Sequence, residues 1–177
     1  MTVRDLRRQW KPVKQRLSEQ EKSHPTNIRF HRACSWLQQA EELGEEQLDL
    51  VLVARWIAFN SLYGQWDEEK REPAPERESW RTFLDRILAL DAEGRLEKLL
   101  LEHKRLVMAL LGDEYLSRFF WEDPGERQAG KARKVKFDAR TWYLEKRWAI
   151  VLDRLIERIY LLRCQIMHGA ATCGSRL

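Results

Sequence analysis

The sequence predicts an all-α fold, a compact helical bundle, and three observations predict it. Only 8 Gly and 5 Pro occur in 177 residues, so little in the chain breaks a helix. Leu, Glu, Arg and Ala are abundant, and β-branched runs are short. Apolar residues recur at spacings of three and four, the period of one helix face. Hydrophobic residues make up 44% and charged residues 34%, a balance that fits a folded chain rather than a disordered one. The length suits one domain with a real core, taken as residues 1–177.

The elements follow in order. Val3, Leu6, Trp10, Val13 and Leu17 form the stripe of an N-terminal helix over residues 1–22, with Thr2 as N-cap and Pro12 expected to kink or break it. Pro25 marks a turn at Ser23–Asn27. A second helix, Asn27 to Leu43, has Phe30, Ala33, Leu37 and Ala40 inside, and Gly44 ends it. Glu45–Gln65 is apolar on several sides and is expected to be central. Residues 67–78 read as a charged loop, and Trp80–Leu88 as a short helix. Leu96, Leu99, His103, Leu106 and Leu110 suggest another helix, and Tyr115–Trp121 a short helical turn. Residues 122–136 are expected to form a basic loop. The last helix, about Asp138 to His168, carries Leu144, Trp148, Leu152, Leu155, Ile159, Leu162 and Ile166, with Gly169 in the left-handed position that closes it. Most of the eight tryptophans fall on such stripes and are read as core.

Formal net charge is +4, and its distribution is uneven. Arg4, Arg7, Arg8, Lys11, Lys14 and Arg16 crowd the start. Arg127, Lys131, Arg133, Lys134, Lys136, Arg140, Lys146 and Arg147 face few acids nearby. Such runs are usually solvated helix faces, and the alternative is a surface that meets phosphate backbones. Cys34, Cys164 and Cys173 match neither a disulfide framework nor a zinc pattern. No apolar run reaches the ~18 residues of a membrane span, and the charged start lacks the apolar stretch of a signal peptide. A cytoplasmic protein that binds no membrane, metal or cofactor is expected.

Chemistry concentrates in LLRCQIMHG, residues 161–169, where an apolar helix delivers Arg163 and then His168. An imidazole takes or gives a proton near neutral pH. A guanidinium cannot, but its planar fork fits phosphate oxygens and the charge they gain in a transition state. Together they suit metal-free RNA cleavage through the 2′-hydroxyl, which DNA lacks. The spacing is unspecific by itself, since an Arg five before a His arises by chance with a probability of roughly 0.4 in this chain. The plain alternative has Arg163 extending from a core helix and His168 capping helix carbonyls. Five residues also turn about 140° beyond one revolution. A distorted last turn, or a second protomer across a two-fold axis, would be needed to bring such groups together.

RCQIMHG at the end of a long apolar helix resembles the Arg-x4–6-His motif of the HEPN family, which often ends in HG. RWIAFNSLYGQW, residues 55–66, is similar to an aromatic helix of bacterial HEPN-like proteins, with Asn60 in its middle. The resemblance spans about residues 27–175. It implies a helical bundle, usually a homodimer, with the motif at the dimer cleft. It also implies either a metal-independent endoribonuclease of toxin–antitoxin or antiviral systems or a non-catalytic module that binds RNA, a nucleotide or a protein. A cognate antitoxin or nucleotidyltransferase partner would fit. Arg163 matches the family arginine and His168 the family histidine. Cys164 stands where members usually carry Asn, Asp or His, and the family's further C-terminal helix is expected to be shortened or absent here.

Four more residues are candidates for orienting the site or touching substrate: Asn60, Cys164, Gln165 and Thr172. Asn60, as a buried amide, needs partners, and the last helix is one place to find them. His103 is read as a core or boundary histidine, and His24 and His31 as structural.

Overall fold

The computed structural model describes residues 1–118 and 126–170. Among these residues are eight α-helices, one 3-10 turn and a two-stranded ribbon, so the chain is all-α. It divides into two units, Met1–Ala74 and Pro75–Ala170.

In the first unit, α1 (Val3–Gln20) starts at a reciprocal cap: the Asp5 N–H donates to Thr2 Oγ1 and the Thr2 N–H to the Asp5 carboxylate. The expected stripe faces inward, with Val3 buried and Leu6, Trp10, Val13 and Leu17 half-buried. The helix continues through Pro12, contrary to the break expected there. Contacts before and after Pro12 hold the helix, the later ones being the Lys14 carbonyl and Ser18 Oγ, which accept from the Asn27 amide. The Val3 N–H donates to Glu41 at 2.8 Å. Trp10 stacks on Phe30 at 4.3 Å, and its indole donates to Asn27. Both partners lie on α2 (Pro25–Leu43), which starts at His24 and ends at Gly44 with φ +68°.

After the 3-10 turn Glu45–Gln47, α3 (Leu48–Tyr63) lies along α2. Ala33, Ala40, Ala54 and Ala58 are buried between them. Such small side chains let two helices approach closely, and Val51, Trp56 and Tyr63 fill the remaining space. In the stretch expected to be loop, β1 (Trp66–Asp67) pairs antiparallel with β2 (Glu72–Pro73).

The second unit contains α4 (Glu76–Leu90), α5 (Arg95–Glu102), α6 (Lys104–Gly112), α7 (Glu126–Leu144) and α8 (Trp148–Met167). Three expectations fail here. The helix over 96–110 breaks at His103, which is exposed, and the buried residues are Leu100, Val107 and Leu111 rather than Leu99 and Leu106. This unit has more leucine than inward positions, so composition could not fix the phase. Second, residues 126–136 are helical. Their Gln, Ala, Lys and Arg are good helix formers, and α7 is anchored further along by Ala139 and Tyr143, both buried. Third, the long last helix is two helices. The Arg147 N–H bonds to the Trp142 carbonyl at 2.8 Å and the Lys146 N–H to that of Tyr143, with Lys146 at φ +53°. This is a Schellman closure with lysine in the position usually held by glycine. It leaves Leu144 exposed and sets Tyr143 edge-on to Trp148 at 5.5 Å.

The tryptophans are less buried than expected. Trp56 and Trp80 are core, Trp36 and Trp66 are exposed, and Trp10, Trp142 and Trp148 are half-buried. Trp121 lies outside the described residues, as do 119–125 of the expected turn and loop. Among the described residues no helix is long and apolar enough to cross a membrane.

Candidate active site at the end of α8

α8 is held in place by polar anchors that its apolar stripe does not reveal. Asp153 is buried. It accepts two hydrogen bonds from Arg81 of α4, at 2.8 and 2.7 Å, and one from the Trp80 indole at 3.2 Å. Arg77 stands 3.1 Å from Glu157 and 3.9 Å from Asp153. Burial alone would raise the Asp153 carboxyl, but the bonds from Arg81 and Trp80 and the charges of Arg81 and Arg77 outweigh it and hold it below the ordinary range. One turn and a half further on, buried Arg158 donates to the Leu111 and Leu116 carbonyls. Burial lowers its pKa, against the pull of Glu157 and Asp113. These bonds satisfy carbonyls where α6 ends and the following turn begins.

The predicted site residues are treated differently by this frame. Gln165 is buried, and its amide donates to the Tyr115 carbonyl at 2.7 Å. It is another tie between α8 and the turn after α6. Arg163 is half-buried. Its guanidinium lies 5.7 Å from the centre of the Tyr160 ring, a cation–π arrangement, and its Nη1 is 3.7 Å from Cys164 Sγ. No carboxylate among the described residues pairs with it. The other two arginines of α8 are occupied, Arg154 by Glu157 at 2.9 Å and Arg158 by the carbonyls.

Tyr160 also packs on Trp80 at 5.5 Å. A hydrogen bond with Cys164 and burial push its phenol up to about 12, against the pull of the Arg163 charge. Tyr160 therefore stays neutral and presents a ring face to the guanidinium. It was not anticipated from the sequence, although its i,i+3 relation to Arg163 is the spacing at which helical side chains meet.

His168 is exposed and is the last residue of the helix end. The Ala170 N–H bonds to the Gln165 carbonyl at 2.8 Å and the Gly169 N–H to that of Ile166, with Gly169 at φ +70°. This is the glycine-closed terminus that the sequence predicted. The backbone around His168 is thus defined while its ring is open to solvent. No hydrogen bond or ion pair joins Arg163 to His168, whose positions differ by the rotation of five helical residues. Thr172 lies outside the described residues.

Asn60 belongs to the first unit, near the C-terminus of α3. It lines an open cleft of about 260 Å³ with Arg29, Arg32, Ile57, Ser61 and Gly64. The exposed cations of α1 (Arg4, Arg7, Arg8, Lys11, Lys14, Arg16) and of α7 (Lys131, Arg133, Lys134, Lys136, Arg140) project to solvent. His24 caps α2 by accepting from the Thr26 N–H, and His31 is exposed. Comparison of the whole chain with protein-family models, with curated proteins and with solved structures finds no match.

Proposed function

We propose that the chain is a metal-independent endoribonuclease of the HEPN type that acts as a toxin or defence effector, with Arg163 and His168 as its catalytic residues. The observation that carries this reading is the contrast along α8. Two of its arginines are spent on structure, whereas Arg163 keeps its guanidinium free of carboxylates among the described residues, one and a half turns from an exposed histidine.

In the proposed reaction His168 takes the 2′-hydroxyl proton. The resulting oxygen attacks the adjacent phosphorus, and the bond from phosphorus to the 5′-oxygen breaks. That oxygen takes a proton from solvent water as it leaves, His168 returns its own to solvent, and the products are a 2′,3′-cyclic phosphate and a 5′-hydroxyl. Arg163 holds the non-bridging oxygens as they gain charge. Tyr160 orients the guanidinium through its ring face. The angular separation of the two groups on one helix favours a composite cleft in a homodimer, with one protomer's histidine serving the other's arginine. The cations of α7 would track the RNA backbone, and a cognate antitoxin would act by covering the cleft.

The test is cleavage of end-labelled RNA by the purified full chain in excess EDTA. Cleavage with cyclic-phosphate ends is expected, with loss of at least about 100-fold in rate for His168→Ala, the lower bound for a general acid–base group, and a comparable loss for Arg163→Ala. A 2′-deoxy substitution at the cut site should abolish it. Equal rates for wild type and both variants, or no cleavage of any RNA offered, would overturn the reading.

A further inference from the structure

The cleft in the first unit has the chemistry of an anion site. Arg29 and Arg32 stand one helical turn apart on α2 and line the cleft with Asn60 and Ser61 of the last turn of α3 and Gly64, which caps it. The six lining residues include no carboxylate. Arg29 is fixed by donating Nη1 to the Leu62 carbonyl at 3.0 Å, which leaves the rest of its five-donor fork available. Ser61 Oγ donates its one hydrogen to the Ile57 carbonyl at 2.8 Å, so the donors left to an anion are those of the arginines and Asn60. Gly64 packs closely on Asn60: a methyl group there would stand 2.9 Å from both the Asn60 carbonyl oxygen and Asn60 Oδ1.

We infer that this cleft binds the phosphate of a small phosphomonoester, with Arg29 and Arg32 matching its two negative charges and the Asn60 amide donating to a third oxygen. Guanidinium forks favour planar pairs of phosphate oxygens. A volume of about 260 Å³ is below the roughly 300–1,000 Å³ of sites that enclose a whole drug-sized ligand, so the cleft takes the phosphate head and leaves the remainder in solvent. Ile57 supplies an apolar wall for whatever the phosphate carries. The site is made wholly of the first unit and does not require Arg163 or His168.

Calorimetric titration of the full chain with inorganic phosphate, AMP and adenosine tests this. Saturable millimolar or tighter binding is expected for phosphate and AMP, and none for adenosine. Binding of AMP at least tenfold tighter than phosphate identifies the esterified group as the source, and equal binding identifies free phosphate. Arg32→Gln, on an exposed position with no structural bond to lose, should weaken binding at least tenfold. Gly64→Ala should do the same by displacing the Asn60 amide, and Arg8→Gln, at an exposed cation of α1 outside the cleft, should leave binding unchanged. The inference is overturned if neither phosphate nor AMP saturates, if adenosine binds as well as AMP, or if Arg32→Gln binds like wild type.

Discussion

Replacing Asp153 by alanine should destabilise the second unit by about 2–4 kcal/mol. The figure is built from two losses. The buried Trp80 indole loses its acceptor, which costs about 1–3 kcal/mol for an unsatisfied buried donor. The two bonds from Arg81 also go. Because the Arg81 side chain is 45% exposed, its released charge regains water, and this part is worth about 1 kcal/mol, as for ion pairs near a surface. In a folded unit of about 100 residues each kcal/mol moves Tm by roughly 4–8 °C, so a drop on the order of 10 °C or more is expected in calorimetry. Asp153→Asn keeps an acceptor for Trp80 and should lose about half as much. The pH dependence has a definite sign. The folded carboxyl is held below its ordinary range, so its contribution is fully present above about pH 4 and is lost as pH falls through the folded value. The gap between wild type and Asp153→Ala should therefore narrow from pH 7 to pH 3 in urea unfolding. A gap under about 0.5 kcal/mol at pH 7, or one that does not change with pH, would refute the argument that this carboxylate anchors α8.

Two further predictions concern helix ends. Gly169→Ala places a methyl group in open space but at φ +70°, so its cost of about 1–2 kcal/mol is a backbone cost. The Ala170 amide should lose hydrogen-exchange protection as the turn carrying His168 frays. Lys146→Gly acts in the opposite direction, relieving the same strain at φ +53° while giving up an exposed ion pair with Glu97. A net gain of about 0.5 kcal/mol should appear in thermal unfolding, and a loss would show that the Glu97 pair outweighs the backbone.

Some features were legible because they depend on neighbours in sequence. The Thr2 cap, the α1 stripe, the inward face of α2, and glycine closures at Gly44 and Gly169 all follow from local spacing and from one residue's allowed φ. The position of His168 at an exposed helix end was readable for the same reason. The phase of α5 and α6 was not, since leucines cover more than one face and only packing decides which are buried. The break at Lys146 was also hidden, because no Gly or Pro marks it and the edge-on contact of Tyr143 with Trp148 across the turn forms only in the folded chain. Gln165 looked like a site residue from its place beside Arg163, yet the Tyr115 carbonyl, 50 positions away in the chain, claims it.

The sequence by itself determined that this protein is helical and that an arginine and a histidine occupy the end of its last helix, because helix propensity, periodicity and terminal glycines act over a few residues. Only the tertiary structure decided which arginines of that helix are committed and which remain available, and that Arg29, Arg32 and Asn60 share a cleft. Those outcomes depend on carbonyls, rings and carboxylates brought from distant parts of the chain, and on the cost of leaving such groups buried without partners.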